Sequence, residues 1–202
     1  MKFYYSPGVC SLASHIVLRE AAMPFAPMRV DLRTHTFNNG ADDYYALNPR
    51  GYVPLLELAD GQLLSEGPLI MQYVGDQVPE KGIVPAWGSM ERYRLIERLA
   101  FISSELHKNF GPLFDPRMPQ DVKAIYHERI CDRFGWLEQQ LNRRDYMMGA
   151  KFSVADAYLF VVCNWGKIVG VDLTAFENLQ SLLGRIATRP SVQEALQVEG
   201  LV

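Results

Sequence analysis

The chain has 202 residues, of which 49% are hydrophobic and 21% charged, with a formal net charge of -3 at pH 7. That balance excludes intrinsic disorder and supports a sizeable core, while the small acidic charge leaves no electrostatic footprint for nucleic acid or an anionic membrane. The length admits one large or two small domains, and no stretch approaches the roughly 20 apolar residues of a membrane-spanning helix.

Lys2–Tyr5 is a short β-prone run that ends in the turn signal Ser6-Pro7-Gly8. From Cys10 to about Ala22 the apolar residues Leu12, Ile16 and Val17 recur with helical period, so Cys10 and Ser11 fall in a first helical turn. Backbone N–H groups and the macrodipole there favour a thiolate, either the protein's own or that of a bound thiol. Cys10-Ser11-Leu12-Ala13 holds one cysteine where a dithiol oxidoreductase needs two, which excludes intramolecular disulfide chemistry. Cys131 and Cys163 lie in apolar helical patterns and read as inert core. The three cysteines form no disulfide framework or metal-ligand spacing, which favours a reducing cytoplasm.

A second strand, Ala26–Leu32, leads through a polar stretch to a short helical piece around Asp42–Leu47. Asn48 to Leu69 is then the most informative segment. Its turn Asn48-Pro49-Arg50-Gly51 precedes Tyr52-Val53-Pro54 and the strand candidate Leu55–Leu58. A proline cannot donate to a sheet ladder; with a cis Val53–Pro54 bond, the Val53 amide and carbonyl would be left to pair with an outside peptide by strand addition. Asp60-Gly61 predicts a hairpin to Gln62–Leu64, and Pro68 opens a helix to about Val78. The start of that helix, beside Ser65, would attract a carboxylate, and Glu66 would meet an ammonium group. A zwitterionic γ-glutamyl head suits both.

The order β-α-β-α-β-β-α up to about residue 80 predicts a thioredoxin-like domain with an antiparallel edge. Residues 81–88, rich in proline and glycine, read as a linker, and 89–202 as an all-helical domain. Its expected helices are Ser89–Phe110, ended by Pro112; Asp121 to about Leu141; a buried helix from Ala155 opened by a Ser153/Asp156 capping box; Phe176–Ala187; and Ser191–Val198.

Tyr5-Ser6-Pro7-Gly8-Val9-Cys10-Ser11, Gly51-Tyr52-Val53-Pro54, Leu64-Ser65-Glu66-Gly67, Ser104-Glu105-Leu106-His107-Lys108 and Phe152-Ser153-Val154-Ala155-Asp156 together resemble the bacterial beta class of cytosolic glutathione transferases, over essentially the whole chain. The resemblance implies the glutathione transferase fold, a homodimer, and glutathione as co-substrate with no tightly bound cofactor. It also implies that Cys10 faces the glutathione sulfur and that His107 reaches the site; the helix start at Cys10-Ser11 and the His107 imidazole can each lower the pKa of that sulfur, and which of the three activates it stays open. Val53, beside Pro54 and Tyr52, would anchor the peptide backbone; Ser65, Glu66 and Gly67 would hold the γ-glutamyl head; and Ser104 and Glu105 would approach the ligand. His35 stands where relatives have a lysine for the glycyl carboxylate, and Ala100 where they often have an asparagine.

The reaction implied is attack of the glutathione thiolate on a hydrophobic electrophile, with a leaving group such as halide departing. Two alternatives stay open on sequence: a glutathione-dependent thiol reductase or reductive dehalogenase working through a Cys10–glutathione mixed disulfide, and a non-catalytic ligand-binding or partner-binding module.

Overall fold

The computed structural model describes residues Met1–Val202, which form two compact units. The first comprises Met1–Gly82 together with Arg189–Val202, and the second Ile83–Thr188.

The first unit is a thioredoxin-like α/β domain. Strands β1 (Lys2–Tyr5), β2 (Ala26–Arg29), β5 (Leu55–Glu57) and β6 (Leu63–Ser65) form one sheet in the order β2-β1-β5-β6. β1 and β2 run parallel, as a crossover through helix α1 (Ser11–Glu20) requires, and β5 lies antiparallel to both β1 and β6. The hairpin register pairs Leu55 with Ser65 and Glu57 with Leu63 around the Asp60-Gly61 turn. Gly61 sits at φ +84°, the left-handed backbone that glycine adopts without steric cost.

The polar stretch after β2 is more ordered than its composition suggests. Strands β3 (Thr36–Phe37) and β4 (Asp42–Asp43) make a separate two-stranded sheet, followed by helix α2 (Tyr44–Leu47). Phe37 inserts edge-on against Tyr4 at 5.4 Å, so this small sheet is tied to a buried cluster of Tyr4, Val30, Tyr44, Val53 and Leu55. Helix α3 (Gly67–Asp76) begins one residue before Pro68 and buries Ile70, Met71 and Val74.

The second unit is helical. Helix α4 (Met90–Phe101) is capped by the Ser89 hydroxyl, which accepts the Arg92 amide at 3.1 Å. It continues through a π-helical turn, Ile102–His107, into α5 (Lys108–Phe114). Pro112 therefore does not end this run, as its sequence suggested. It lies inside α5, where only its own missing N–H is lost, and the helix closes two residues later. Helices α6 (Gln120–Gln140), α7 (Val154–Asn164), α8 (Gly166–Val169) and α9 (Glu177–Ala187) complete the unit. α7 is buried from Val154 through Cys163, as expected of its uniformly apolar sequence.

The end of the chain departs from the expected boundary. Helix α10 (Pro190–Glu199) packs with α1 and belongs to the first unit. Glu20 of α1 accepts hydrogen bonds from the Arg189 guanidinium and the Ser191 hydroxyl, an ion pair that periodicity alone does not announce. The expected linker is also shorter, because Lys81 closes a 3₁₀ turn (Pro79–Lys81) and Ile83 and Val84 are buried. No helix is long and apolar enough to cross a membrane.

Candidate active site

In the first unit, β1 ends at Tyr5 and α1 starts at Ser11, so the intervening loop delivers Cys10 to the helix N-terminus in αR conformation. Cys10 is half-buried, and its thiol donates to the Val53 carbonyl at 3.3 Å. The Val53–Pro54 bond is cis, and both residues are buried at the start of β5. The carbonyl that strand addition needs is thus already engaged, by the sulfur itself. Ser11 is fully buried, and its hydroxyl accepts from the Ser6 amide at 3.2 Å and donates to the Ser6 carbonyl at 3.1 Å. Those bonds fasten the loop ahead of Cys10 and commit the hydroxyl to the backbone.

The turn before Val53 is held from inside. The Tyr52 carbonyl accepts from the Tyr44 hydroxyl at 2.9 Å and the Asn48 amide group at 2.7 Å, while the Tyr52 side chain stays exposed. Gly51 has φ +68°, and a Cβ there would lie 2.7 Å from Tyr45 and 2.8 Å from Nδ1 of His35, so only glycine fits. His35 itself has φ +54° and stacks on Tyr45 at 4.3 Å, with its buried Nδ1 lacking a hydrogen-bond partner.

Ser65, Glu66 and Gly67 lie where β6 passes into α3. Glu66 adopts φ +70°, unusual for a side-chain-bearing residue, at the N-cap of α3. Arg50, not singled out by the sequence, joins this group: its guanidinium donates to Glu66 Oε1 at 3.0 Å and to the Ser65 hydroxyl at 2.7 Å. The Asn48-to-Gly51 turn signal placed Arg50 on a loop, but its partners lie 15 and 16 residues on, beyond any local pattern.

In the helical unit, Ser104, Glu105 and His107 all sit on the π-helical turn, a local geometry that often marks functional positions. Ser104 donates to the Ala100 carbonyl at 3.0 Å, and Glu105 pairs with Arg133 at 2.8 Å. His107 Nδ1 is 2.6 Å from the Tyr158 hydroxyl, and its ring meets Trp165 at 4.8 Å. Phe110 and Phe114 pack on Trp165 at 5.8 and 5.9 Å, giving an aromatic cluster beside the histidine.

The remaining cysteines differ from each other. Burial pushes the Cys163 thiol well up, as fits inert core. Cys131 is only half-buried and lies 3.7 Å from Nδ1 of His127, so the core reading does not hold for it. Burial raises its pKa, as do the nearby carboxylates of Asp132 and Asp172. No group of three or more His, Cys, Asp or Glu side chains is placed to hold a metal ion.

A cysteine at the first helix of a thioredoxin-like sheet, beside a cis-proline edge and followed by a helical unit, defines the class of thiol-handling proteins with an appended helical domain. The glutathione S-transferase N-terminal domain model matches residues 9–77, and the C-terminal domain model matches residues 105–199. The glutathione S-transferase GstA of Escherichia coli O157:H7 is 44% identical, with all of both chains covered. A sphingomonad glutathione S-transferase solved with glutathione is 44% identical with a TM-score of 0.96, all of both chains being covered. The bacterial beta-class glutathione S-transferase of Sphingomonas chungbukensis is 46% identical with the same TM-score and the same full coverage. The chain belongs to the glutathione S-transferase family, with the bacterial beta class.

Proposed function

We propose that this enzyme conjugates the glutathione thiolate to hydrophobic electrophiles, working as a homodimer in the cytoplasm. The observation that carries the reading is the Cys10–Val53 contact, which brings a thiol, a helix start and a peptide-edge carbonyl together within one domain. On this reading the cysteinyl N–H of glutathione takes over the Val53 carbonyl, and the released Cys10 thiol turns to the glutathione sulfur. Glu66 receives the α-ammonium group, Ser65 and the Gly67 end of α3 the α-carboxylate, and His35 the glycyl carboxylate. The resemblance assigns His107 to the sulfur, and Ser104 and Glu105 share its π-helical turn in the helical unit; the fully bonded Ser11 shapes the loop ahead of Cys10. The thiolate forms a carbon–sulfur bond, the carbon–halogen bond breaks with its electron pair, and halide departs. The Phe110, Phe114 and Trp165 cluster offers an apolar surface for the electrophile.

Conjugation of a chloronitrobenzene tests this directly. Turnover by wild type, saturable in glutathione, is the expected result. Absence of both turnover and retention on immobilised glutathione would reduce the protein to a binding module. Cys10→Ala separates the chemistries: retained conjugation with lost mixed-disulfide turnover would assign Cys10 to thiol exchange.

A further inference from the structure

We propose that Tyr158 is a positioning residue for His107: its phenol donates to Nδ1 and holds the imidazole proton on Nε2. The pair is separated by 2.6 Å, and Tyr158 is only 2% exposed on α7. That helix is anchored at its start by the Ser153/Asp156 capping box, so the hydroxyl is presented from a rigid element. Trp165 stands against the imidazole ring at 4.8 Å with an interplanar angle of 66°, so the ring is held by a hydrogen bond and an aromatic wall.

The direction of the bond follows from acid and base strength. A neutral imidazole has one donor and one acceptor nitrogen, and its acceptor is a far better base than a phenol oxygen. The phenol is in turn the better acid of the two, so O–H to N is the favoured arrangement, and its short length agrees. A ring fixed in this way offers Nε2–H as its second hydrogen-bonding group. A donor there stabilises a thiolate over a thiol, which is the help a conjugating enzyme requires. This role rests on the assignment of His107 to the glutathione sulfur made above.

Two measurements on the full-length protein test the pair. In nitrogen-15 spectra of the His107 ring, Nδ1 is expected to be the unprotonated, hydrogen-bonded nitrogen, with a resonance that moves downfield in Tyr158→Phe as the bond is lost. In kinetics, Tyr158→Phe is expected to lower kcat/KM about tenfold, yet less than about twofold when introduced into His107→Ala, because a residue acting through His107 has nothing to act on once it is gone. A proton found on Nδ1, or an equal loss in both backgrounds, overturns the proposal. If His107→Ala alone leaves turnover unchanged, the assignment of His107 to the sulfur falls and this role of Tyr158 with it, while the ring spectrum independently reports whether the pairing exists.

Discussion

His15 on α1 and Glu199 at the end of α10, 184 residues apart, meet at 2.9 Å between Nδ1 and Oε1 with both side chains fully buried. Arg19 Nε lies 3.4 Å from Nε2 of the same ring, so Nε2 accepts and the proton available to the carboxylate is on Nδ1. The second carboxylate oxygen accepts the Gly8 amide at 2.9 Å, two residues before Cys10. His15→Ala is expected to strand that carboxylate and to lower the unfolding free energy by about 3 kcal/mol. Urea titration measures it, and a loss below about 1 kcal/mol would show that the carboxylate is rescued by water.

Asp156 presents a second buried carboxylate. Its oxygens accept the Ser153 hydroxyl at 2.7 Å, the Ser153 amide at 2.8 Å and the Met147 amide at 2.7 Å. Asp156→Ala leaves those donors unpaired in the interior and is expected to cost about 3 kcal/mol, more than an ordinary exposed cap. Thermal unfolding would register the difference, and a cost below about 1 kcal/mol would reduce Asp156 to that ordinary role.

Burial pushes Asp156 up to about 6, against the pull of the same three donors. The unfolded chain titrates near 4, so the folded state keeps a proton that the unfolded state releases. The stability contributed by protonated Asp156 is therefore fully present below about pH 4 and is lost as pH rises to about 6. Measured as wild type minus Asp156→Asn, stability should fall between pH 4.5 and 6.5, since titration of every other group cancels. A difference that is flat or rising over that window would contradict the assignment.

Glu66 and Arg50 are exposed, with side chains at 65% and 53% of full accessibility. An ion pair in such surroundings contributes less than about 1 kcal/mol. Glu66→Gln should thus leave folding nearly unchanged while weakening glutathione about tenfold, a charge-assisted bond being lost. Calorimetry of binding beside urea titration separates the two; weakened folding with unchanged affinity would assign Glu66 to the turn alone.

His35→Lys is expected to tighten glutathione about threefold, because a lysine brings a full positive charge and three rotatable donors to the glycyl carboxylate. An unchanged dissociation constant would remove His35 from the carboxylate subsite and leave it as packing against Tyr45.

Local signals explain what the sequence disclosed. The Asp60-Gly61 hairpin, the helix after Pro68 and the Ser153/Asp156 box are each written within a few residues, and each appears with small boundary shifts. Contacts that close over long separations were not legible. Glu199 fastening Gly8, Arg189 reaching Glu20, and Arg50 joining Ser65 to Glu66 have no periodic signature. Pro112 misled because a helix can absorb one missing N–H, and the π-helical turn was invisible because helical period is read over windows longer than a single turn.

That turn also fixes the angular phase of the whole run from Met90 to Phe114. A wider turn takes one residue more than an α-helical one, and one residue is about 100° of rotation. Leu95 and Leu99 before it and Phe110 and Leu113 after it are all buried, so the run keeps one inward face on both sides of the turn. Excising Ser103 would rotate everything downstream by about 100° and swing Phe110 away from Trp165 and Phe134, so the register of the downstream aromatics is set by a count of residues as much as by their identity.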